Sequence, residues 1–228
     1  IVKNNSMKLK FSESKHEYKL GNKVLPSVTE VIKYFFEPFD KDYWAKFIAM
    51  RDSKTKRQVF QDWKVKRDWG SKVHQLIEDH INDKRIKNYP NEISGAIDFL
   101  KTFNHKEITS ELRVHSNEWL VAGTIDVVLE TPEGVILLDW KTTKRPIRKE
   151  NSFQQAKPPI NHIGECNYNI YALQLNMYKA LFEEAYGKKV IEIGFVILPE
   201  FGPVEYFPVP DYSHEVYLML DHWQNWRD

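Results

Sequence analysis

The chain has 228 residues, with 33 Lys and Arg against 32 Asp and Glu, and a net charge of +1. A chain of this length can bury one sizeable core, and its 14% aromatic content is typical of a packed globule. Because the molecule is nearly neutral, any attraction for nucleic acid must come from local clusters of basic residues. The single cysteine, Cys166, excludes an internal disulfide framework and any multi-cysteine zinc or iron–sulfur site.

The sequence contains neither a signal-peptide pattern nor an apolar run long enough to cross a bilayer. We therefore expect an intracellular protein that does not act on membranes. The same patterns are compatible with cytoplasm, nucleus, organelle or a virus-infected cell.

A short hairpin is predicted near the start of the chain, in the stretch MKLKFSESKHEYKLGNKVL. Gly21 and Asn22 are typical turn residues with strand-like segments on either side. A helix follows, with either Ser27 or Thr29 placed to cap its N-terminus. We expect residues 1–25 to form an N-terminal extension.

Helices dominate the next part of the chain. A charged helical pattern runs from Asp40 to about Arg85, Pro90 interrupts it, and EISGAIDFLKTF is a further short amphipathic helix. We expect residues 26–105 to form a helical region that supplies an arch and the first helices of the core.

The hydrophobic period then changes to that of strands. EITSELRVHS, WLVAGTIDVVLE and VILLDWK predict three antiparallel strands, with TPEG as the turn between the last two. A long loop over residues 144–166 precedes a strong helix over residues 168–186, which ends at Gly187. VIEIGFVIL and VEYFPV are strands, and SHEVYLMLDHWQNW is a closing helix.

This order of elements predicts an α+β domain, or a three-layer α/β domain, with a mixed β-sheet. The fourth strand of that sheet can join it only after a helical crossover. We place the core sheet and the C-terminal helices in residues 106–228, within a single domain overall.

Two acids and a lysine interrupt the apolar hairpin GTIDVVLETPEGVILLDWKTT. With the turn at TPEG, Glu130 faces Val135 and Asp126 faces Asp139, so the two carboxylates share one face with Cβ atoms roughly 4.5–5.5 Å apart. Lys141 follows at the even period and points the same way. This register assumes a regular ladder, because a slip of one residue sends one acid to the opposite face.

Two carboxylates this close repel each other unless one takes a proton or a cation neutralises both. A hard divalent metal does the latter, and magnesium sites typically combine one or two carboxylates with a substrate phosphate. Asp126, Asp139 and Lys141 therefore predict a site for metal-assisted phosphodiester hydrolysis. A solvent-exposed pair of acids on an edge ribbon is the alternative, and the flanking segments VVL and ILL count against it.

The hairpin residues GTIDVV and LLDWKTT resemble motifs II and III of the PD-(D/E)XK nuclease superfamily, in its RecB-like branch. WGSKVHQLIE at 69–78 resembles the upstream helix of that branch, which implies that His74 is a metal ligand. QLNMY at 174–178 matches the Q-x-x-x-Y signature of the helix after motif III. LPSVTEVI at 25–32 is similar to the entry of mitochondrial genome maintenance exonucleases, and the resemblance extends to about residue 198.

The resemblance implies a restriction-endonuclease-like core and a metal-dependent DNA exonuclease with a preference for single-stranded or frayed ends, in replication, repair or recombination. It implies one or two Mg²⁺ or Mn²⁺ ions, held by His74, Asp126, Asp139 and the backbone carbonyl of Trp140, and no iron–sulfur cluster. Lys141 would position the attacking water or neutralise developing charge.

Further residues gain candidate roles from the same resemblance. Gln174 is expected to hold a metal-site water or a phosphate, and Tyr178 a DNA phosphate or the catalytic lysine. Glu111, on the strand before the hairpin, is a candidate for a place near the metal. Glu78 shares a helix face with His74 and is a candidate supporting acid. Both glutamates are equally compatible with ordinary surface positions.

A basic stretch that carries tryptophans, KTKRQVFQDWKVKRDWGSK at 54–72, leads into the helix of His74. Phosphates pair with Lys and Arg while bases stack on aromatic rings, so we expect this stretch to arch over the metal and bind single-stranded DNA. A solvated helix face is the ordinary alternative. The candidate DNA-binding residues are Lys64, Lys66, Arg67, Lys72, Thr142, Thr143, Lys144 and Arg145.

Two other functions fit the same residues. One is an endonuclease of this fold, acting on DNA or on RNA in the manner of cap-snatching enzymes. The other is an inactive nuclease fold that only binds nucleic acid, and the intact set of two acids and a lysine counts against it. The sequence contains no helicase domain, so any helicase would be a separate partner or would lie in a longer parent chain. A polymerase or a single-strand-binding protein is a further candidate partner.

Overall fold

The computed structural model describes residues 9–227 except 14, 16, 88, 144–146, 148 and 150–153. Lys144, Arg145 and part of the predicted loop at 144–166 therefore lie outside the described residues. Among the residues described, no helix combines the length and the apolar character that a membrane span requires. The elements in chain order are β1 (Leu9–Ser12), β2 (Glu17–Leu20), β3 (Lys23–Leu25), α1 (Val28–Tyr34), α2 (Lys41–Arg51), α3 (Lys56–Ile81), α4 (Asn91–Leu100), β4 (Glu107–His115), β5 (Ala122–Glu130), β6 (Val135–Lys141), α5 (Asn167–Tyr186), β7 (Val190–Ile197), β8 (Glu205–Pro208) and α6 (Ser213–Arg227).

Among the described residues, the main sheet contains five strands in the order β4-β5-β6-β7-β8. β4, β5 and β6 are antiparallel, β7 pairs parallel to β6 after the α5 crossover, and β8 returns antiparallel to β7. Helices α1, α5 and α6 cover one face through a core that includes Leu137 and Phe195. Helices α3 and α4 cover the other face, where Val73 packs in one cluster with Trp140. The predicted α+β class with a mixed sheet is confirmed.

Local signals in the sequence set several element boundaries. Ser27 is the N-cap of α1 and forms a capping box with Glu30, so Ser27 rather than Thr29 begins this helix. Gly187 ends α5 with a φ of +63°, a conformation that glycine adopts without steric cost. The predicted strands β4 to β8 and the closing helix are all present.

The N-terminal segment forms a separate three-stranded sheet, one strand larger than the predicted hairpin. The turn at Gly21 and Asn22 joins β2 to β3 as predicted, and β1 adds to β2 on the other side. The hydroxyl of Tyr18 lies 2.8 Å from that of Thr124, which ties this sheet to β5. The division of the chain at residues 25 and 105 stays a prediction.

Helices α2 and α3 form a helical hairpin with a small core of its own. Ala45 and Ala49 of α2 pack with Val59 of α3. Thr55 caps α3 through a capping box with Gln58, and α3 then continues for 26 residues. At about 1.5 Å per residue, this helix is about 39 Å long and reaches from the hairpin to the main sheet.

Candidate active site

The strand alternation breaks at two acids in the main sheet. On β5, Val127 packs beneath α3 and α4, but Ile125, two residues earlier, packs beneath α1 and α5. Asp126 lies between them, and on the neighbouring strand Glu111 adopts a φ of +49°, which is uncommon for a residue other than glycine. Because of this break, the side chains of Glu111 and Asp126 do not follow the alternating directions of a regular strand.

Glu111 and Asp126 meet His74 of α3 at this break. One ligand atom from each of the three residues lies within 4.8 Å of the others. His74 Nδ1 lies 3.4 Å from Asp126 Oδ2, and its Nε2 lies 3.1 Å from the carbonyl oxygen of Trp140. An imidazole nitrogen and two carboxylates form a donor set that suits a divalent cation. We call His74, Glu111 and Asp126 the ligand group.

The ligand group carries negative charge that its surroundings do not fully neutralise. The pKa of Glu111 is raised to about 7, by burial first and by the charge of Asp126 second, against the opposing effect of His74. A bound cation would favour the charged form of this carboxylate. The donor atoms and the electrostatics of the group thus both fit a divalent metal ion.

Asp139 and Lys141 form a buried ion pair beside the ligand group. Asp139 Oδ2 lies 2.5 Å from Lys141 Nζ. No described residue makes a hydrogen bond of regular geometry to this oxygen, so its contact with Lys141 is an ion pair. The pKa of Asp139 is raised to about 6, because burial and the charge of Asp126 together outweigh the opposing charge of Lys141. Burial lowers the pKa of Lys141, but the charges of Asp139 and Asp126 outweigh this effect and raise it, so the amine is protonated.

The predicted metal set is assembled in part. His74, Asp126 and the carbonyl of Trp140 lie together as expected, and Glu111 joins them. Within the described part of the chain, Asp139 stands outside the ligand group. Its Oδ2 pairs with Lys141, whereas the break in β5 turns Asp126 toward α3. A metal contact through the other oxygen of Asp139 stays a prediction.

The predicted register of the hairpin is confirmed as far as the ladder extends. Glu130 pairs with Val135, and the pairing continues to Val127 and Leu138. Beyond that point Asp126 Oδ2 accepts a hydrogen bond of 2.8 Å from the backbone N–H of Trp140. Asp126 thus bonds to β6 through its side chain rather than through the ladder.

Gln174 and Tyr178 contact each other on α5. Gln174 Nε2 donates a hydrogen bond of 3.0 Å to the Tyr178 hydroxyl. Tyr178 is buried, and burial raises its pKa well above the ordinary value. The predicted contacts of both residues with metal-site water, phosphate or Lys141 stay predictions.

Tyr171 is a site residue that the sequence did not identify. Lys141 Nζ lies 4.5 Å from the centroid of the Tyr171 ring, so the ring and Asp139 hold the amine from two sides. The available signal was the position of Tyr171 three residues before Gln174, which places both on one face of α5. A tyrosine within an amphipathic helix is ordinarily core, which is why this signal is weak.

Replacing Tyr171 by leucine is expected to lower the kcat of hydrolysis roughly 10-fold, because a cation–π contact of about 0.5–2 kcal/mol that positions Lys141 is lost. Tyr171→Phe keeps the ring and should retain nearly wild-type kcat. Steady-state cleavage of a labelled oligonucleotide measures both variants. Equal losses in the two variants would mean that the hydroxyl, rather than the ring, matters.

Gly123, the glycine of the G-x-x-D motif, allows β5 to approach α5. A Cβ atom at this position would lie 2.5 Å from Cε1 of Tyr178. Gly123→Ala is therefore expected to destabilise the fold by about 1–3 kcal/mol through overpacking. Chemical denaturation measures the change in the free energy of unfolding. In the double variant Gly123→Ala/Tyr178→Leu, the smaller side chain at position 178 should reduce the cost of Gly123→Ala. Additive costs would contradict the predicted clash.

A cavity of about 430 Å³ opens over the ligand group. Its walls include Phe11 of β1 and Arg113 of β4, so the N-terminal sheet contributes to the site. Glu78 lines the same cavity and accepts a hydrogen bond of 2.9 Å from Gln75. The predicted supporting position of Glu78 is compatible with this placement and stays a prediction.

The predicted DNA-binding residues on α3 are mostly engaged with neighbouring side chains. Lys64 lies 2.7 Å from Asp68, Arg67 lies 3.7 Å from the same residue, and the Lys72 amine stacks 5.5 Å above the Trp69 ring. These contacts are local and exposed, so they are weak and can exchange for phosphate contacts. DNA binding by these residues and by Lys66 stays a prediction.

The residues after β6 pass close to α3. A Cβ atom at Gly70 would lie 2.9 Å from Thr142 Oγ1, so the glycine permits this approach. Thr142 and Thr143 are half-buried beside the site, and their predicted contacts with phosphate stay predictions.

Comparison with known sequence families matches residues 92–226 to the PD-(D/E)XK nuclease superfamily, which is more than half of the chain. The chain belongs to this superfamily. It is therefore a metal-dependent nuclease, because enzymes of the PD-(D/E)XK superfamily use divalent metal ions. The predicted superfamily is confirmed. Its RecB-like branch stays a prediction.

Matches to individual proteins either cover a smaller part of the chain or have low sequence identity. An ATP-dependent helicase/nuclease subunit from Bacillus licheniformis is 32% identical over 80 residues, which span 35% of this chain and 6% of that protein. A provisionally assigned exonuclease from Eubacterium rectale has a TM-score of 0.44 and 10% identity, covering 68% of this chain and 65% of the other. SSO0001 has a TM-score of 0.37 and 13% identity, covering 89% and 76% respectively. The chain thus corresponds to a small part of the helicase/nuclease subunit.

Proposed function

We propose that this nuclease is a DNA exonuclease that hydrolyses phosphodiester bonds at single-stranded or frayed ends during replication, repair or recombination. The observation that carries the proposal is the ligand group of His74, Glu111 and Asp126 beside the Asp139–Lys141 ion pair. The two carboxylates of the ligand group favour hard ions, so Mg²⁺ or Mn²⁺, as one or two ions, is the proposed cofactor.

The side chains around the cavity have separate tasks in this proposal. His74, Glu111 and Asp126 would hold the metal, with Asp139 and the carbonyl of Trp140 as further ligands. When bound, the ion supplies Lewis acidity toward the scissile phosphate. The backbone N–H of Trp140 holds the Asp126 carboxylate in place through its 2.8 Å hydrogen bond.

Lys141 would act on the phosphate or on the attacking water. Its amine is protonated and held between Asp139 and the Tyr171 ring, so it is a fixed positive charge at the edge of the site. A fixed donor of this kind orients a water molecule or stabilises the charge that develops on the phosphate oxygens. It requires no reorganisation at the moment of reaction.

The proposed DNA contacts outside the ligand group lie on α3 and after β6. Lysine and arginine side chains there would neutralise phosphates, which makes binding weaken as salt is raised. The similarity to a protein named as part of a helicase/nuclease supports a helicase as a partner, and a polymerase or single-strand-binding protein is compatible as well. The proposed backbone contacts are made by Lys64, Lys66, Arg67, Lys72, Thr142, Thr143, Lys144 and Arg145.

The test is digestion of DNA labelled at its 5′ or 3′ end, with Mg²⁺ or Mn²⁺ against EDTA. Linear single strands should be shortened from an end, single-stranded circles should stay intact, and duplex DNA should be cut more slowly. Cleavage of circles would replace the proposal with an endonuclease, and a preference for RNA would assign a ribonuclease. If neither the wild type nor Lys141→Ala digests DNA, the result would favour a nuclease fold that only binds nucleic acid.

A further inference from the structure

Helix α2 leaves most of its large apolar side chains at the surface. Its buried residues are two alanines, Ala45 and Ala49. Tyr43 is 60% exposed, and the neighbouring Trp44 and Phe47 are also exposed. A contiguous exposed surface of apolar side chains often marks an interaction site, whereas single exposed apolar residues are ordinary.

These side chains form one connected aromatic surface with the start of α3. Phe39 stacks on Trp44 with 4° between the ring planes, Trp44 meets Phe47 edge-on at 5.7 Å, and Phe60 meets Trp63 at 5.6 Å. Phe39 also contacts Trp63 at 5.8 Å, which joins the two halves. We call this surface the aromatic platform; it consists of Phe39, Tyr43, Trp44, Phe47, Phe60 and Trp63.

The platform lies in a basic part of the chain. Residues 40–72 contain ten Lys and Arg against five Asp, a net charge of +5 in a protein whose total is +1. The Lys56 amine lies 6.0 Å from the Phe60 ring centroid, so cationic and aromatic groups are interleaved. The apolar centres of protein–protein interfaces are instead depleted in lysine. Positive charge beside exposed aromatic rings is the pattern of a surface that binds single-stranded nucleic acid.

Helix α3 connects the platform to the ligand group along one face. Phe60, Arg67 and His74 are spaced seven residues apart, and positions at that spacing drift by only about 20° around the helix. The rise of about 1.5 Å per residue puts Phe60 about 21 Å from His74 along the axis. At a stacked spacing of about 3.4 Å per nucleotide, a strand of roughly six nucleotides covers that distance.

We infer that the aromatic platform is a stacking surface that holds single-stranded DNA several nucleotides away from the cleavage site. This inference rests on the proposed function, since it assumes that the ligand group acts on DNA. Bases stack on the exposed rings, the basic residues of α2 and α3 neutralise the backbone, and the strand follows α3 to the cavity. The platform thereby favours substrates long enough to reach it.

The test compares binding of two fluorescent oligothymidylates, of about 4 and about 20 nucleotides, to proteins in the Lys141→Ala background with EDTA. Trp44→Ala/Phe60→Ala should weaken binding of the long oligonucleotide by roughly 10- to 100-fold and leave binding of the short one unchanged. Trp44→Phe keeps a ring and should bind nearly as tightly as the parent protein. Phe201→Ala, which removes a ring that is 76% exposed elsewhere, is the matched control and should have no effect.

Equal binding of the long oligonucleotide by the double variant and its parent would overturn the inference. Self-association of the parent protein that the double variant loses, with DNA binding unchanged, would instead assign the platform to contacts between copies of the chain. Circular dichroism checks folding, and Tyr43→Ser carries the same test if the double variant is unfolded. Because cleavage is no part of the readout, a failure of the proposed exonuclease activity is distinguishable from a failure of the platform.

Discussion

Replacing Lys141 by alanine is expected to lower the kcat of DNA hydrolysis by roughly 100- to 1000-fold while changing KM little. The amine is a fixed charge beside the ligand group, and such a charge acts mainly on the transition state. Single-turnover cleavage of a labelled single strand with saturating Mn²⁺ measures the chemical step. Lys141→Arg keeps the charge but changes its shape, so an intermediate rate is expected.

The same substitution also affects stability, and a second variant separates the two effects. Lys141→Ala leaves the buried Asp139 without its cation, which should cost about 3 kcal/mol at neutral pH. Asp139→Asn/Lys141→Ala removes the uncompensated charge and should recover much of the free energy of unfolding but none of the activity. Recovery of activity together with stability would show that Lys141 acts only through the fold.

A matched lysine provides the control. Lys188 also pairs with an acid at the sheet, with its Nζ 2.6 Å from Glu130 Oε1, but Glu130 is the last residue of β5, four residues beyond Asp126. Lys188→Ala should leave kcat unchanged within about twofold, because this part-buried pair belongs neither to the ligand group nor to the cavity over it. A loss as large as that of Lys141→Ala would mean that any disturbed ion pair in the sheet lowers activity.

The fold was predictable because its signals are local. The turn at TPEG fixed the register from Glu130 and Val135 onward, Gly187 marked the end of α5, and the change from helical to strand period located β4. These signals depend on residues close together in the chain. They needed no knowledge of how distant segments pack.

The ligand group was predictable only in part because it depends on a departure from the regular pattern. Strict alternation puts Asp126 on the face of Asp139, but the break at Asp126 and the positive φ of Glu111 bring these acids to His74 instead. No local signal in the sequence predicts that break, since neither position is a glycine or a proline. Tyr171 was missed because its contact with Lys141 joins segments thirty residues apart.

Replacing Glu111 by glutamine is expected to change stability in opposite directions without and with metal. In the folded protein the pKa of Glu111 is raised to about 7, against an ordinary value of 4.5. Between those pH values the unfolded chain releases its proton while the folded chain keeps it, so the free energy of unfolding falls as pH rises. The total loss is about 2 kcal/mol after allowance for partial exposure, complete above pH 7.

In EDTA, Glu111→Gln should therefore be more stable than wild type by about 2 kcal/mol at pH 8 and equal to it near pH 4.5. Urea denaturation at several pH values measures this difference. Glu133→Gln, an exposed position in the turn after β5, is the control and should follow the wild-type profile. A Glu111→Gln profile identical to that of wild type would contradict a buried, uncompensated carboxylate at this position.

Addition of Mn²⁺ should reverse the order of the two proteins at pH 8. A ligand that binds only the folded state raises stability in proportion to the logarithm of its concentration over Kd. Wild type, with Glu111 ionised, gains this stabilisation in full, whereas glutamine is a weaker donor and should lower the affinity for Mn²⁺ by roughly 100-fold. That loss corresponds to about 2.7 kcal/mol at saturating Mn²⁺, which exceeds the advantage of Glu111→Gln in EDTA. The stabilisation of wild type by Mn²⁺ should also grow as pH rises through 7, because the metal must displace the proton on Glu111. Equal stabilisation of both proteins by Mn²⁺ would remove Glu111 from the ligand group and leave His74 and Asp126 to be completed by Asp139.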